Sequence, residues 1–171
     1  MKKKFLKDYF QKLISLINFD EDTIKKLLEV KEIFLFTKKM NKKGIIFGNG
    51  GSAAIASHFS VDLTKNANVR CVNFNESDLL TCFSNDFGYE HWVEKSIDYY
   101  ADEGDAIVLI SASGESKNMI NAVKAAKSKN IKNIITLTGN SKNNSLSQLG
   151  SINFWVDSKA YNHIENVHQN L

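Results

Sequence analysis

The stretch Gly44–Asp62, GIIFGNGGSAAIASHFSVD, reads as a strand, a glycine-rich turn and a helix. Ile45, Ile46 and Phe47 form the short apolar run that a strand covered on both faces carries. Gly48, Asn49, Gly50 and Gly51 supply residues that accept positive φ and let another molecule approach the backbone. Ser52 is a favourable N-cap. A helix opening there points unpaired N–H groups and the positive end of its dipole at the loop, where a phosphate or carboxylate is favoured. An ordinary strand-to-helix turn also needs glycine, and this stretch alone leaves both readings open.

Upstream, Phe5, Leu6, Tyr9, Phe10, Leu13, Ile14 and Ile17 repeat at three and four and predict an amphipathic helix over 3–18. A second helix is expected over Asp22–Met40, with Ile24, Leu27, Leu28, Val30, Ile33, Phe34 and Phe36 facing inward. Two such helices carry more apolar surface than a sheet edge needs, which points to a role in oligomerisation. Downstream, strands are expected at Val69–Phe74, Ala106–Ile110, Asn133–Leu137 and Ile152–Val156. Helices are expected at Ser77–Ser84, Tyr89–Ala101, Lys117–Lys129 and Ser141–Leu149, with a break at Asn85–Gly88. From Ala160 the tail begins a helix that stops almost at once.

Alternating strands and helices, each strand a continuous apolar run, predict an α/β fold: a five-stranded parallel sheet, doubly wound in the flavodoxin manner. In the order 2-1-3-4-5 the crevice opens between the loops after the first and third strands. Those loops are GNGGS and SASGES, so the two richest clusters of small hydrogen-bonding residues are expected to meet there.

The 171 residues, 43% of them hydrophobic, suffice for one well-buried core and are too few for two ordinary domains. We therefore expect one domain over 1–171, with a helical pair at 1–41 and an α/β core at 42–171. The net charge is +3, and Arg70 is the single arginine. A surface so poor in guanidinium groups argues against nucleic acid as a partner. Cys71 and Cys82 form no metal or disulfide framework, and each is expected to be a small buried thiol. Asp8, Gln11 and Lys12 interrupt the basic opening that a leader would have, and no apolar run approaches a membrane span. A cytoplasmic protein without a membrane partner is the expectation.

Ser111, Ser113 and Ser116 place three hydroxyls in six residues, with Gly114 to bend the loop and Ser116 positioned to cap the next helix. Neutral donors of this kind at a helix start hold a phosphate dianion without arginine, and they exceed what one cap requires. His58 and Asp62 stand four apart on one helical face, a spacing that suits a metal half-site, a base with its orienting partner, or a surface pair. Glu165 and His168, three apart, share a face near the end. His91 and His163 read as surface or packing residues.

FGNGGSAAIASHFSVDL, SNDFGYE, LISASGES, ITLTG and YNHIENVHQ, in that order, resemble the successive motifs of the sugar isomerase (SIS) domain family, and within it the phosphoheptose isomerase group. The resemblance covers nearly the whole chain. It implies a homotetramer converting a ketose 7-phosphate, sedoheptulose 7-phosphate, to an aldose 7-phosphate for bacterial surface polysaccharide, with no nucleotide cofactor. Carried over by position, Asn49, Gly50, Gly51 and Ser52 contact the substrate, and Ser111, Ala112, Ser113 and Ser116 line the phosphate site. Asn85 and Asp86 hold sugar hydroxyls. His58 and Asp62 fall where a zinc-binding histidine and a glutamate base stand, and Glu165 falls where a glutamine reaches substrate and metal. Asp62 is one methylene short of glutamate, and Ala112 replaces a threonine. The family's second catalytic histidine lies about a turn and a half beyond His168, past Leu171. Three expectations follow from that: a shortened chain, His168 in its place, or a noncatalytic phosphosugar-binding or regulatory SIS protein, like relatives that assist replication initiation.

Overall fold

The computed structural model describes residues 2–171. Two helices, α1 (Lys2–Ile17) and α2 (Glu21–Lys39), precede β1 (Gly44–Gly48), α3 (Gly51–Ala67) and β2 (Cys71–Asn73). There follow α4 (Ser77–Phe87), α5 (Trp92–Tyr100), β3 (Ala106–Ser111), α6 (Lys117–Ser128) and β4 (Asn133–Thr138). A 3-10 turn at Leu146–Gln148, β5 (Ile152–Trp155) and α7 (Tyr161–Asn170) complete the chain. The five strands are parallel in the order β2-β1-β3-β4-β5, the doubly wound order expected.

Period-two alternation sends neighbouring strand residues to opposite faces. Ile45, Phe47, Ile107 and Leu109 join Trp92, Val93 and Ile97 of α5 and Met119, Ala122 and Val123 of α6 in one buried layer. Ile46, Val108 and Ile110 join Phe34 of α2 and Ile55 and Ala56 of α3 in the other. The α3 crossover carries the chain from β1 outward to β2, while α6 carries it from β3 the opposite way. Right-handed crossovers in opposite directions put their helices on opposite faces, and a crevice opens where the directions diverge. Gly48 pairs in register with Ile110, so the β1–α3 and β3–α6 loops leave the sheet at the same level.

Several boundaries differ from the sequence reading. The helix of the opening stretch starts at Gly51, capped by Gly50 at φ 55°, and Ser52 lies buried within its first turn instead of capping it. A turn of that sign suits glycine, so the helix gains a residue. The strand expected over Val69–Phe74 shrinks to Cys71–Asn73. At its start the Val69 N–H bonds Leu63 as part of the α3 terminus, and at its end the Asn73 side chain turns to the Ile46 carbonyl and the Asn75 N–H. α4 runs through Asn85 and Asp86 to Phe87, and Tyr89–His91 form a turn before α5. The stretch Ser141–Leu149 is mostly loop. The Asn144 side chain bonds the Gly139 and Ser141 carbonyls and the Ser147 N–H, offering the backbone partners a helix would otherwise provide. α7 does not stop early, because burial of Ile164 and Val167 against Ala112 and Val156 holds all ten residues.

Cys71 is half-buried, and burial pushes its thiol up to about 12. Cys82, expected inside, is exposed on α4, where the nearby Asp86 carboxylate raises its pKa. Among the described residues no helix is long and apolar enough to cross a membrane.

Candidate functional site

Ser111 ends β3 and Ser116 is the N-cap residue of α6, yet Ser116 makes no side-chain cap bond. Its Oγ instead faces Ser111 Oγ at 3.1 Å, with Ser113 Oγ 3.4 Å from the same atom. Three hydroxyls thus converge at a helix start that the Ser116 side chain does not cap, a neutral cradle for an anion. Ala112 is buried and packs with α7. Gly114 turns the loop at φ 69°.

A segment that sequence reasoning passed over holds this loop. The Leu146 N–H donates to the Gly114 carbonyl, and Ser145 donates through both its N–H and its hydroxyl to the Glu115 carboxylate. Those bonds, the hydroxyl's first, draw the Glu115 pKa below its usual value. A carboxylate inside an anion-binding loop was the sequence signal for such a partner, since an uncommitted charge would repel the ligand.

Across the crevice, Asn49 Nδ2 donates to Asn118 Oδ1 at 3.1 Å, and Asn118 Nδ2 donates back to Asn49 Oδ1 at 2.9 Å. The Tyr89 hydroxyl donates to the same Asn49 oxygen at 3.0 Å. Neither Tyr89 nor Asn118 stood out in the sequence. Asn118 carries the one hint, a buried amide among the apolar inward residues of α6.

Glu165 reaches the glycine turn: a Cβ on Gly51 would stand 2.6–2.7 Å from its carboxylate. The end of the chain therefore does meet the opening loop. His168 does not. It is 2% exposed, its Nε2 lies 3.2 Å from the Thr138 carbonyl, and burial pulls its pKa down to about 4. This corrects its assignment as a catalytic group, because a neutral imidazole sealed between α7 and β4 has no path to a ligand. His163 is likewise a packing residue, tilted against Tyr9 with ring centroids 4.4 Å apart, and His91 pairs with Glu94 at the surface.

His58 and Asp62 form a 3.0 Å pair on the exposed face of α3. At about 1.5 Å per residue, Asp62 lies roughly 16 Å along the helix from Gly51. The expected metal set His58, Asp62 and Glu165 is therefore not assembled by one chain, and among the described residues no cluster of three His, Cys, Asp or Glu could hold a metal ion. Asn85 and Asp86 are exposed and bond each other; from their neighbourhood it is Tyr89 that touches the glycine loop. A cleft of about 410 Å³ at the β5 edge, lined by Lys26, Lys142, Trp155 and Asp157 among others, includes none of the candidate site residues named from the sequence.

Residues 8–139 match the SIS domain family. The chain is 36% identical over 137 residues to a phosphoheptose isomerase of Histophilus somni, covering 77% of this chain and 68% of that protein. The chain belongs to the SIS domain family, in its phosphoheptose isomerase group. Another member, from Aliarcobacter butzleri, is 30% identical over 98% of this chain and 91% of its own length. The structure of phosphoheptose isomerase GmhA from Neisseria gonorrhoeae superposes with a TM-score of 0.89 at 28% identity, covering 99% of this chain and 93% of that one. The parallel sheet and both crevice loops thus sit in a fold this SIS protein shares with its relatives.

Proposed function

We propose that the chain isomerises sedoheptulose 7-phosphate to the aldose heptose 7-phosphate, an intramolecular ketose–aldose interconversion feeding surface polysaccharide synthesis in the cytoplasm. The observation that carries this is the convergence of Ser111, Ser113 and Ser116 at the uncapped start of α6, in a chain related to phosphoheptose isomerases. In this reading the phosphate sits on the serine loop, not on the start of α3, because the Glu165 carboxylate already faces Gly51. Asn49, Gly50, Gly51 and Ser52 border the sugar, and Asn85 and Asp86 turn to its hydroxyls.

Asp62 is the base that takes a proton from one carbon and returns it to its neighbour. It lies far along α3 from its own crevice, so the site is completed by an adjacent copy in a homotetramer. Residues 1–41 and 42–171 act as one domain, the helical pair serving that assembly. Among the described residues, one chain does not complete a zinc set.

The test is purified protein with sedoheptulose 7-phosphate, product followed by NMR with and without added zinc. Asp62→Asn is expected to lower turnover by about 100-fold or more while calorimetric binding of the sugar phosphate persists. Unchanged turnover in that variant removes Asp62 from the reaction. Binding without product in the unaltered protein overturns the isomerase reading and leaves a phosphosugar-binding SIS protein.

A further inference from the structure

We infer that Tyr89 and Asn118 are positioning residues that lock the Asn49 amide so that it presents only a donor to the bound ligand, a role that rests on the crevice being the sugar-phosphate site. The polarity of the network is set by one group that cannot reverse. Asn118 Oδ1 accepts from the backbone N–H of Met119 at 3.1 Å, and a backbone N–H only donates. The Asn118 oxygen is thereby placed, its NH2 faces Asn49, and the Asn49 oxygen must receive it.

The accounting then closes on Asn49. Its Oδ1 accepts from Asn118 Nδ2 and from the Tyr89 hydroxyl, which uses both lone pairs. Its Nδ2 spends one hydrogen on Asn118 Oδ1. One N–H remains. A free asparagine amide offers a ligand either a donor or an acceptor, according to its flip. Here the choice is made beforehand: the remaining N–H suits a phosphate, carbonyl or hydroxyl oxygen and rejects a donor.

The two supports differ in kind. Asn118 is 2% exposed and anchored to α6, so it carries the polarity of the fold into the loop. Tyr89 is 50% exposed, on the turn between α4 and α5, and is the one support whose hydroxyl can be deleted without disturbing a buried layer. Its loss frees one lone pair on the Asn49 oxygen, so the amide then offers the ligand an acceptor as well as a donor.

Two measurements on Tyr89→Phe test this. In nitrogen–proton spectra of the ligand-free protein, the Asn49 side-chain NH2 pair, assigned by its absence in Asn49→Asp, is expected to shift in Tyr89→Phe. With sedoheptulose 7-phosphate, KM is expected to rise roughly three- to tenfold with kcat nearly unchanged, the signature of a lost ground-state contact. An Asn49 amide unmoved by Tyr89→Phe overturns the relay, whatever the reaction. A moved amide with unaltered KM overturns its positioning role. If the unaltered protein does not turn over the sugar, the same comparison is made on its calorimetric Kd, and a moved amide with weakened binding upholds the relay while the isomerase reading falls.

Discussion

The imidazole of His168 is held with Nε2 against the Thr138 carbonyl and Nδ1 buried with no partner among the described residues. Burial lowers its pKa from 6.5 to about 4, so the native state keeps it neutral while the unfolded chain protonates it below 6.5. The unfolded state then binds the extra proton, and stability, complete above about pH 6.5, drains as pH falls toward 4. Between pH 7 and pH 5 the loss is about 2 kcal/mol. Carboxylates held low by their partners, such as Asp102 beside Lys43 and Glu115 beside Ser145, give up their share only below their ordinary values of 3.8 and 4.5, outside that interval. His168→Leu leaves the Thr138 carbonyl with its Val156 N–H partner and removes the titration. The urea midpoint of the unaltered protein is expected to fall from pH 7 to pH 5 by more than that of the variant. Equal losses in both remove His168 as the cause. The spacing of Glu165 and His168 put them on neighbouring positions of one helix. Which of them met the crevice was not legible, because a helical face has no direction until α7 docks.

Among the elements, the serine loop and the segment after β4 act as one unit, and Gly114 is its pivot. Its φ of 69° belongs to the left-handed region, and a Cβ there would collide with the Asn144 side chain. Asn144 cannot yield cheaply: it is 1% exposed and bonded to Gly139, Ser141 and Ser147. Gly114→Ala is expected to cost about 1–3 kcal/mol from backbone strain and to open the cradle. Thermal denaturation and calorimetry with the sugar phosphate check the two effects, and an unaltered Kd shows that the loop does not hold the phosphate. The bend at Gly114 was readable from SASGES, as were the strands, since continuous apolar runs such as Ala106–Ile110 need no partner to declare themselves. The helix expected over Ser141–Leu149 failed because Asn144 ties the carbonyls and N–H of its own neighbours and Ser145 bonds Glu115, 30 residues away, a contact that local spacing does not carry.

For the molecule as a whole, alternation predicted a parallel doubly wound sheet and the common order of that fold, 2-1-3-4-5, matched the strands, while the surface poses the remaining question. α1 buries no residue, and Phe5, Leu6, Phe10 and Ile14 stand more than half exposed along it. On α2, Leu28 and Phe36 are also more than half exposed and Leu35 nearly so. A 16-residue helix is marginal in water without tertiary support, and its contact with α7 uses the face carrying Tyr9, Leu13 and Leu16. Scattered apolar residues are ordinary on a protein surface, but two successive helices that each expose several large apolar side chains are candidates for an interface. A second copy is the economical partner, since symmetric self-association matches one such face with another. The proposed isomerisation calls for the same assembly, since the Asp62 of one chain does not reach its own crevice. Light scattering at micromolar concentration is expected to give four times the chain mass. Phe5→Glu and Phe36→Glu, each placing a charge on the exposed stripe, are expected to lower that mass and to abolish isomerisation. A monomeric mass for the unaltered protein overturns the assembly, and an unchanged mass in both variants removes these helices from its interface.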